Sequence, residues 1–251
     1  MFQLDDARLK TYPHQTTRLF ELDKLPHWRT DTFDFISIPL GLGGLSFREK
    51  QLEYFPTEPD EAQAFDVVLN TSMTWPTRSW PLENWQRLAD ELVARGLTVA
   101  VVGKDLHSPG DGIAKRSPEL RGVTNLINRL SLDQTYYTLR KAGLLVTGQN
   151  GLSVLAGATD TRVVVLGMSI EWSKRAIYRH ENPHHKVIYV KGSCDIYCGS
   201  MKDCPEYEGE LRCVPNYATV RDAVLAAIAA DSRSSPALPR YTVRLPAWRA
   251  A

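Results

Sequence analysis

The chain has 251 residues, 30 basic and 29 acidic side chains, and a net charge of +1. That balance argues against a protein whose main partner is bulk nucleic acid or an anionic membrane. An apolar content of 43% is ample for a core. The opening stretch MFQLDDARLK lacks the apolar centre of a secretory signal, and no stretch approaches the ~20 apolar residues of a membrane helix. A cytoplasmic location is therefore expected.

In chain order, residues 1–60 read as an irregular segment, broken by Pro13, Pro26, Pro39, Pro56 and Pro59. Their one strand-like piece, Phe33 to Ile38, leads into the glycine-rich loop Gly41 to Gly44, which could cap a ligand. Regular patterning begins at Asp66, with Val67 to Leu69 as a buried strand. Glu83 to Arg95 reads as a helix with Trp85, Leu88, Ala89, Leu92 and Val93 inward, stopped by Gly96. A strand follows at Thr98 to Val102. Ser131 and Gln134 form a capping-box pattern that opens a helix with Leu132, Tyr136 and Leu139 inward. Next come a strand at Leu144 to Thr147, a short helix after Gly151, and strands at Arg162 to Leu166 and Lys186 to Val190. Thr219 caps a last helix that buries Val220, Ala223, Val224, Ala227 and Ile228. These elements form one domain over residues 61–231, followed by a Pro/Arg/Ser-rich tail at 232–251.

Continuous apolar strands alternating with helices imply an α/β fold, a Rossmann-like parallel sheet covered by helices on both faces. Such sheets take ligands beyond the carboxyl ends of their strands. The turn Gly148-Gln149-Asn150-Gly151 falls at such an end and opens a helix of small residues. Free amides and a positive dipole end suit it to a diphosphate. A plain tight βα turn would read the same way.

The segment from Asn125 to Gly167, with the upstream run Arg78-Ser79-Trp80-Pro81 and Trp85, resembles the heptosyltransferase-type glycosyltransferases of family 9. The resemblance covers roughly residues 66–230 and extends to the autotransporter heptosyltransferases. It implies one half of a GT-B enzyme, the half that holds a nucleotide sugar. It places Arg78 at the donor phosphates, a task suited to a fork of permanently charged donors. Asn70, Thr71, Ser72 and Thr74, just past the first strand, become candidate donors to phosphate or sugar oxygens, against ordinary turn chemistry. Asp105 falls near the family's ribose-binding acid, and Gln149, Asn150, Gly151 and Ser153 match its phosphate turn.

Two departures stand out. Many family members carry Asp-Thr-Gly at this turn and a histidine three residues after the glycine, where this chain has Gln149-Asn150-Gly151 and Val154. A complete member also carries an amino-terminal Rossmann-like domain of ~150 residues or more, which residues 1–60 do not resemble. A reduced acceptor lobe is therefore expected, with Asp31, Asp34 and Glu49 the candidate general bases by location alone. Another chain, a second copy, is expected to cover the cleft, with Tyr54, Phe55, Tyr241 and Trp248 as contacts.

All four cysteines, Cys194, Cys198, Cys204 and Cys213, fall in one loop. Clustered thiols in a cytosolic chain favour a structural zinc or iron over disulfides or free thiols, and the autotransporter heptosyltransferases include an iron-bound version of such a loop. His180, His184 and His185 read as a polar surface loop or an acceptor patch. The function expected is transfer of a sugar, ADP-heptose-like, from a nucleotide-diphosphate donor to an acceptor that the sequence does not name. The alternative is a module that binds the nucleotide sugar without turnover, or only with a partner chain. An oxidoreductase is disfavoured because no G-x-G-x-x-G follows the first strand.

Overall fold

The structure, a computed structural model, describes residues 54–73, 75–107, 114–170, 177, 186–194, 204, 207 and 210–231. The strand expected at Phe33 to Ile38, the glycine loop after it, the three histidines and the tail lie outside them. Six strands form one parallel sheet: β1 (Val67–Asn70), β2 (Val99–Val101), β5 (Thr124–Asn125), β6 (Leu144–Gly148), β7 (Arg162–Gly167) and β8 (Val187–Lys191). Their order is β5-β2-β1-β6-β7-β8. A two-stranded hairpin, β3 (Leu106–His107) with β4 (Ala114–Lys115), sits outside that sheet.

The helices are α1 (Leu82–Ala94), α2 (Leu132–Lys141), α3 (Gly151–Ala156) and α4 (Tyr217–Asp231). Successive strand residues face opposite ways, so the strands of the sheet other than the short β5 feed two cores. Val67, Leu69, Val99, Val101, Val146 and Leu166 pack with Trp85 and Leu88 of α1 and Val220 and Val224 of α4. Val68, Ala100, Leu145, Val163 and Val165 pack with Leu139 of α2 and Ala156 of α3. Burial on both faces is why these strands read as unbroken apolar runs.

The helix ends show where local pattern and tertiary context diverge. Gly96 ends α1 with φ +81°, a conformation that a residue bearing Cβ rarely adopts. Val93, expected inside, is 41% exposed, because the inner stripe of α1 is Trp85, Leu88, Ala89 and Leu92. Ser131 caps α2 by accepting from the Gln134 amide at 3.1 Å, but the Gln134 side chain donates to the Pro59 carbonyl instead of closing the box. The inner stripe expected for α2 is also corrected: Leu132 is exposed, while Asp133, Thr138 and Leu139 are buried. The cap of α4 is Asn216, whose Oδ1 accepts from the amide and hydroxyl of Thr219.

Asp133 is buried because residues 54–62 run along α2. Its carboxylate accepts from the Tyr54 phenol, from the Thr57 amide and hydroxyl, and from the Glu58 amide. Tyr137 donates to the Glu58 carbonyl, and Lys141 pairs with Asp60 at 2.8 Å. Tyr54, expected to face a second copy, is thus used inside the chain and lies 5.0 Å from the Tyr136 ring. Phe55 beside it is 78% exposed. Among the described residues no helix is long and apolar enough to cross a membrane.

Candidate functional site

From β1 the chain steps outward to β2 and β5, then returns to β6 on the other side of β1 and continues to β8. The order reverses between β1 and β6, and a crevice at the carboxyl ends of those two strands follows from that reversal. Asn70 ends β1 there, with 1% of its surface exposed. Its Oδ1 accepts from Asn150 at 2.7 Å and from the Thr147 hydroxyl at 3.1 Å. Its Nδ2 donates to the Val102 carbonyl at 2.8 Å and to Ser72 at 2.9 Å. That uses two donors and both lone pairs of the acceptor. Asn70 therefore braces the ends of β1, β2 and β6 against one another.

Asn150 is held from that side and caps α3, its Oδ1 accepting from the Leu152 amide at 2.9 Å. The Ser153 hydroxyl closes the reciprocal contact, accepting from the Asn150 amide and donating to its carbonyl. Gln149 is buried, and its carbonyl accepts from Arg78 at 2.5 Å. Arg78 ends a short 3-10 turn, Pro76–Arg78, and its guanidinium lies 5.1 Å over the Trp75 ring. A guanidinium thus stands at the end of β6, beside an aromatic face from the loop after β1.

Beside this cluster opens a cavity of about 360 Å³, lined by Ser72, Lys104, Leu130, Ser131, Thr135 and Gly151 among others. Its volume lies at the small end of the range for small-molecule sites. Lys104 supplies the positive charge, and Leu130, Leu132 and Leu152 supply apolar walls. Ser131 joins the wall to the strap of residues 54–62, donating to Glu58 at 2.6 Å.

Of the residues expected to act, Arg78, Asn70, Ser72, Gln149, Asn150, Gly151 and Ser153 meet in this crevice. Thr71 is fully buried and donates to the Pro118 carbonyl at 2.7 Å. Thr74 lies outside the described residues. Asp105 follows β2, where its carboxylate accepts from the Ser117 amide at 2.8 Å and from the Asn128 side chain. It closes a loop at the crevice edge and is not among the residues lining the cavity. Asp31, Asp34 and Glu49 also lie outside.

Sequence reasoning missed Lys104, Trp75, Asp133 and Ser169. Lys104 follows Gly103 directly after a strand, a signal that was open to reading. The others carry no pattern. Ser169, after β7, is fully buried, and its hydroxyl has no hydrogen-bond partner among the described residues.

The carboxylate of Asp133 is held down to about 2, first by the Tyr54 phenol and then by the Glu58 and Thr57 amides. Tyr54 is pushed up to about 12 by that same hydrogen bond, with burial adding to it.

The cysteine loop is partly described. The Cys194 amide donates to the Arg212 carbonyl at 3.1 Å, and the Gly192 amide to the Cys213 carbonyl at 3.3 Å. Cys194 and Cys213, both buried, thus stand on paired segments, while Cys204 is half-buried. A Cβ on Gly192 would lie 2.2 Å from the Arg212 carbonyl oxygen, so only glycine permits this approach. Among the described residues no group of three metal-ligating side chains assembles, and Cys198 lies outside them.

The described fold is similar to that of two structures of TibC. One is the iron-containing dodecameric glycosyltransferase of enterotoxigenic E. coli H10407, at 20% identity and a TM-score of 0.53, covering 76% of this chain and 51% of that one. The other is the heptosyltransferase TibC in complex with ADP-D-β-D-heptose, at 16% identity and a TM-score of 0.57, covering 77% and 53%. The E. coli ADP-heptose LPS heptosyltransferase II aligns at 15% identity and a TM-score of 0.48, covering 78% and 51%. The chain therefore spans about half the length of the structures it matches. No curated protein matches it in sequence. The sequence model of glycosyltransferase family 9 (heptosyltransferase) matches residues 44–169, half of the chain. On that match the chain, whose described residues form a parallel α/β sheet, belongs to glycosyltransferase family 9.

Proposed function

We propose that the chain binds a nucleotide-diphosphate sugar, of the ADP-heptose kind, and transfers the sugar to an acceptor hydroxyl. The observation that carries this reading is Arg78, held on the Gln149 carbonyl at the β1–β6 crevice beside the cavity. In the reaction the bond from the anomeric carbon to the diphosphate breaks, a bond to the acceptor oxygen forms, and the hydroxyl's proton passes to water or to the departing diphosphate. Negative charge grows on the departing diphosphate, and a cation already aligned there stabilises it without reorganising. Lys104 adds charge from the cavity wall, while Leu130 and Leu132 offer apolar surface to a base. The TibC complex with ADP-D-β-D-heptose supports the donor class. Arg78 is the residue assigned to the chemistry, with Ser72, Gly151 and the Gln149–Asn150 turn forming the donor site. Asn70 and Ser153 hold that turn in place.

A second reading, donor binding without transfer, is favoured by one observation. Among the described residues lining the cavity there is no carboxylate or histidine to act as a general base. Calorimetric titration with ADP-, GDP- and UDP-sugars tests donor binding, and product analysis with candidate acceptors separates the two readings. Failure to bind any nucleotide sugar would overturn both.

Two further parts belong to the proposal. The cysteine loop holds a structural zinc or iron, supported by the pairing of the Cys194 and Cys213 segments. The working form is a homo-oligomer, supported by the dodecameric TibC, and light scattering at micromolar concentration checks it.

A further inference from the structure

The loop between β1 and α1 holds a donor with no acceptor among the described residues. The indole Nε1 of Trp75 is buried and has no hydrogen-bond partner among the described residues. Native structures rarely leave such a group unpaired, and each exception calls for a cause. The described part of the loop is hydrogen-bonded on both sides of Trp75. The Trp75 carbonyl accepts from the Arg78 amide at 2.9 Å and from the Ser79 hydroxyl at 2.8 Å. The Met73 and Arg116 backbones pair just upstream, at 2.7 and 3.0 Å. The unpaired N–H is therefore a feature of a hydrogen-bonded turn.

Its neighbour is Arg78, whose guanidinium lies 5.1 Å from the Trp75 ring centre. An indole N–H and a guanidinium can only donate. One turn thus presents two side chains whose polar groups can only donate, and the indole N–H is the one without a partner among the described residues. Phosphoryl oxygens accept and, when ionised, do not donate. We propose that Trp75 is a second diphosphate-binding residue, its indole N–H donating to a phosphoryl oxygen of the donor beside Arg78. This rests on the donor-binding reading above.

The test is Trp75→Phe, which keeps a smaller aromatic face under Arg78 and removes the N–H together with the rest of the five-membered ring. Calorimetry with ADP, GDP and UDP should show binding weaker by about tenfold for the preferred nucleotide, the scale of one hydrogen bond to a charged group. The melting temperature should change little, since removing a donor with no partner among the described residues offsets the lost ring area. In the wild type, the indole N–H resonance lost in Trp75→Phe should move when that nucleotide is added. Trp75→Tyr supplies the same assignment should the phenylalanine variant fail to fold. Equal affinity for wild type and variant, or an indole resonance that stays in place at saturation, overturns the role of Trp75 and leaves donor binding intact. A wild type that binds no nucleoside diphosphate overturns the donor-binding reading and this proposal together.

Discussion

The phenol of Tyr54 donates to Oδ1 of Asp133, 79 positions further along the chain. That contact converts an acid in the first turn of α2 into the anchor of the segment before β1. Replacing Asp133 by Asn keeps the volume, removes the charge and turns one acceptor into a donor that faces the Thr57 and Glu58 amides. We expect the strap of residues 54–62 to detach from α2 and the apparent stability to fall. Limited proteolysis ahead of β1 should be faster in the variant, and an unchanged cleavage pattern would contradict the anchoring role.

The same pair fixes a pH window. Asp133 is depressed from 3.8 to about 2, so its contribution is present above pH ~4 and is lost as pH falls towards 2. Tyr54 is raised from 10.0 to about 12, so its contribution is complete below pH ~10 and is lost as pH rises towards 12. Denaturant unfolding between pH 2 and 6 should show a steeper loss for wild type than for Asp133→Asn. Parallel profiles would show that Asp133 titrates normally.

Arg78 should matter for the diphosphate and little for the fold. Arg78→Ala is expected to weaken nucleotide-diphosphate binding by about 1.5–3 kcal/mol, the range for a charged hydrogen bond. Arg78→Lys should recover part of that, since charge returns without the fork. Calorimetry giving equal affinity for all three proteins would remove Arg78 from the site.

Trp80 joins three elements. Its Nε1 donates to the Pro215 carbonyl at 2.8 Å, its ring meets Trp85 edge-on at 4.9 Å, and it stacks on Tyr217 at 6.3 Å. Trp80→Ala should cost about 3–5 kcal/mol, and Trp80→Phe about 1–3 kcal/mol through the unpaired carbonyl. Equilibrium unfolding measures both. A loss under 1 kcal/mol for the alanine variant would mean that this face repacks without it.

Gly192 sets the geometry of the cysteine loop. A methyl group there meets the backbone of Arg212 and Cys213, which cannot yield as a side chain would. Gly192→Ala should therefore pull the paired segments apart and expose Cys194 and Cys213 to thiol reagents. Elemental analysis of wild type purified without added metal should find close to one zinc or iron per chain, and less in the variant. Four freely titrating thiols and no metal in the wild type would end the metal proposal.

What the sequence made legible follows from what decides each feature. Val67 to Leu69, Leu144 to Val146 and Val163 to Leu166 show as strands because burial on both faces demands apolar residues at every position. The turn at Gln149 to Gly151 shows because it joins a strand to a helix. Asp133 could not be read this way. Its inward orientation depends on Tyr54 and Thr57, contacts across more than seventy positions that no local period records. Leu132 was read as inner for the same reason, since the apolar period of α2 fits more than one face. The cap of α4 shifted from Thr219 to Asn216 because both residue types serve and only geometry chooses. Asn70 and Ser72 share a polar run with Thr71, but their division into brace and cavity wall depends on which strand end each one meets.

The strand order also dictates when the middle of the sheet can form. β1 is bordered by β2 on one side and by β6 on the other, and the contact from Asn70 to Thr147 spans 77 positions. Closing so long a loop before its contacts are made slows folding. During synthesis, β1 and β2 emerge well before β6, and for that interval β1 offers an open apolar edge to any passing strand. The nascent chain is therefore most exposed to misassembly before Leu144 to Gly148 leave the ribosome, and a chaperone that binds extended apolar segments would act chiefly in that interval.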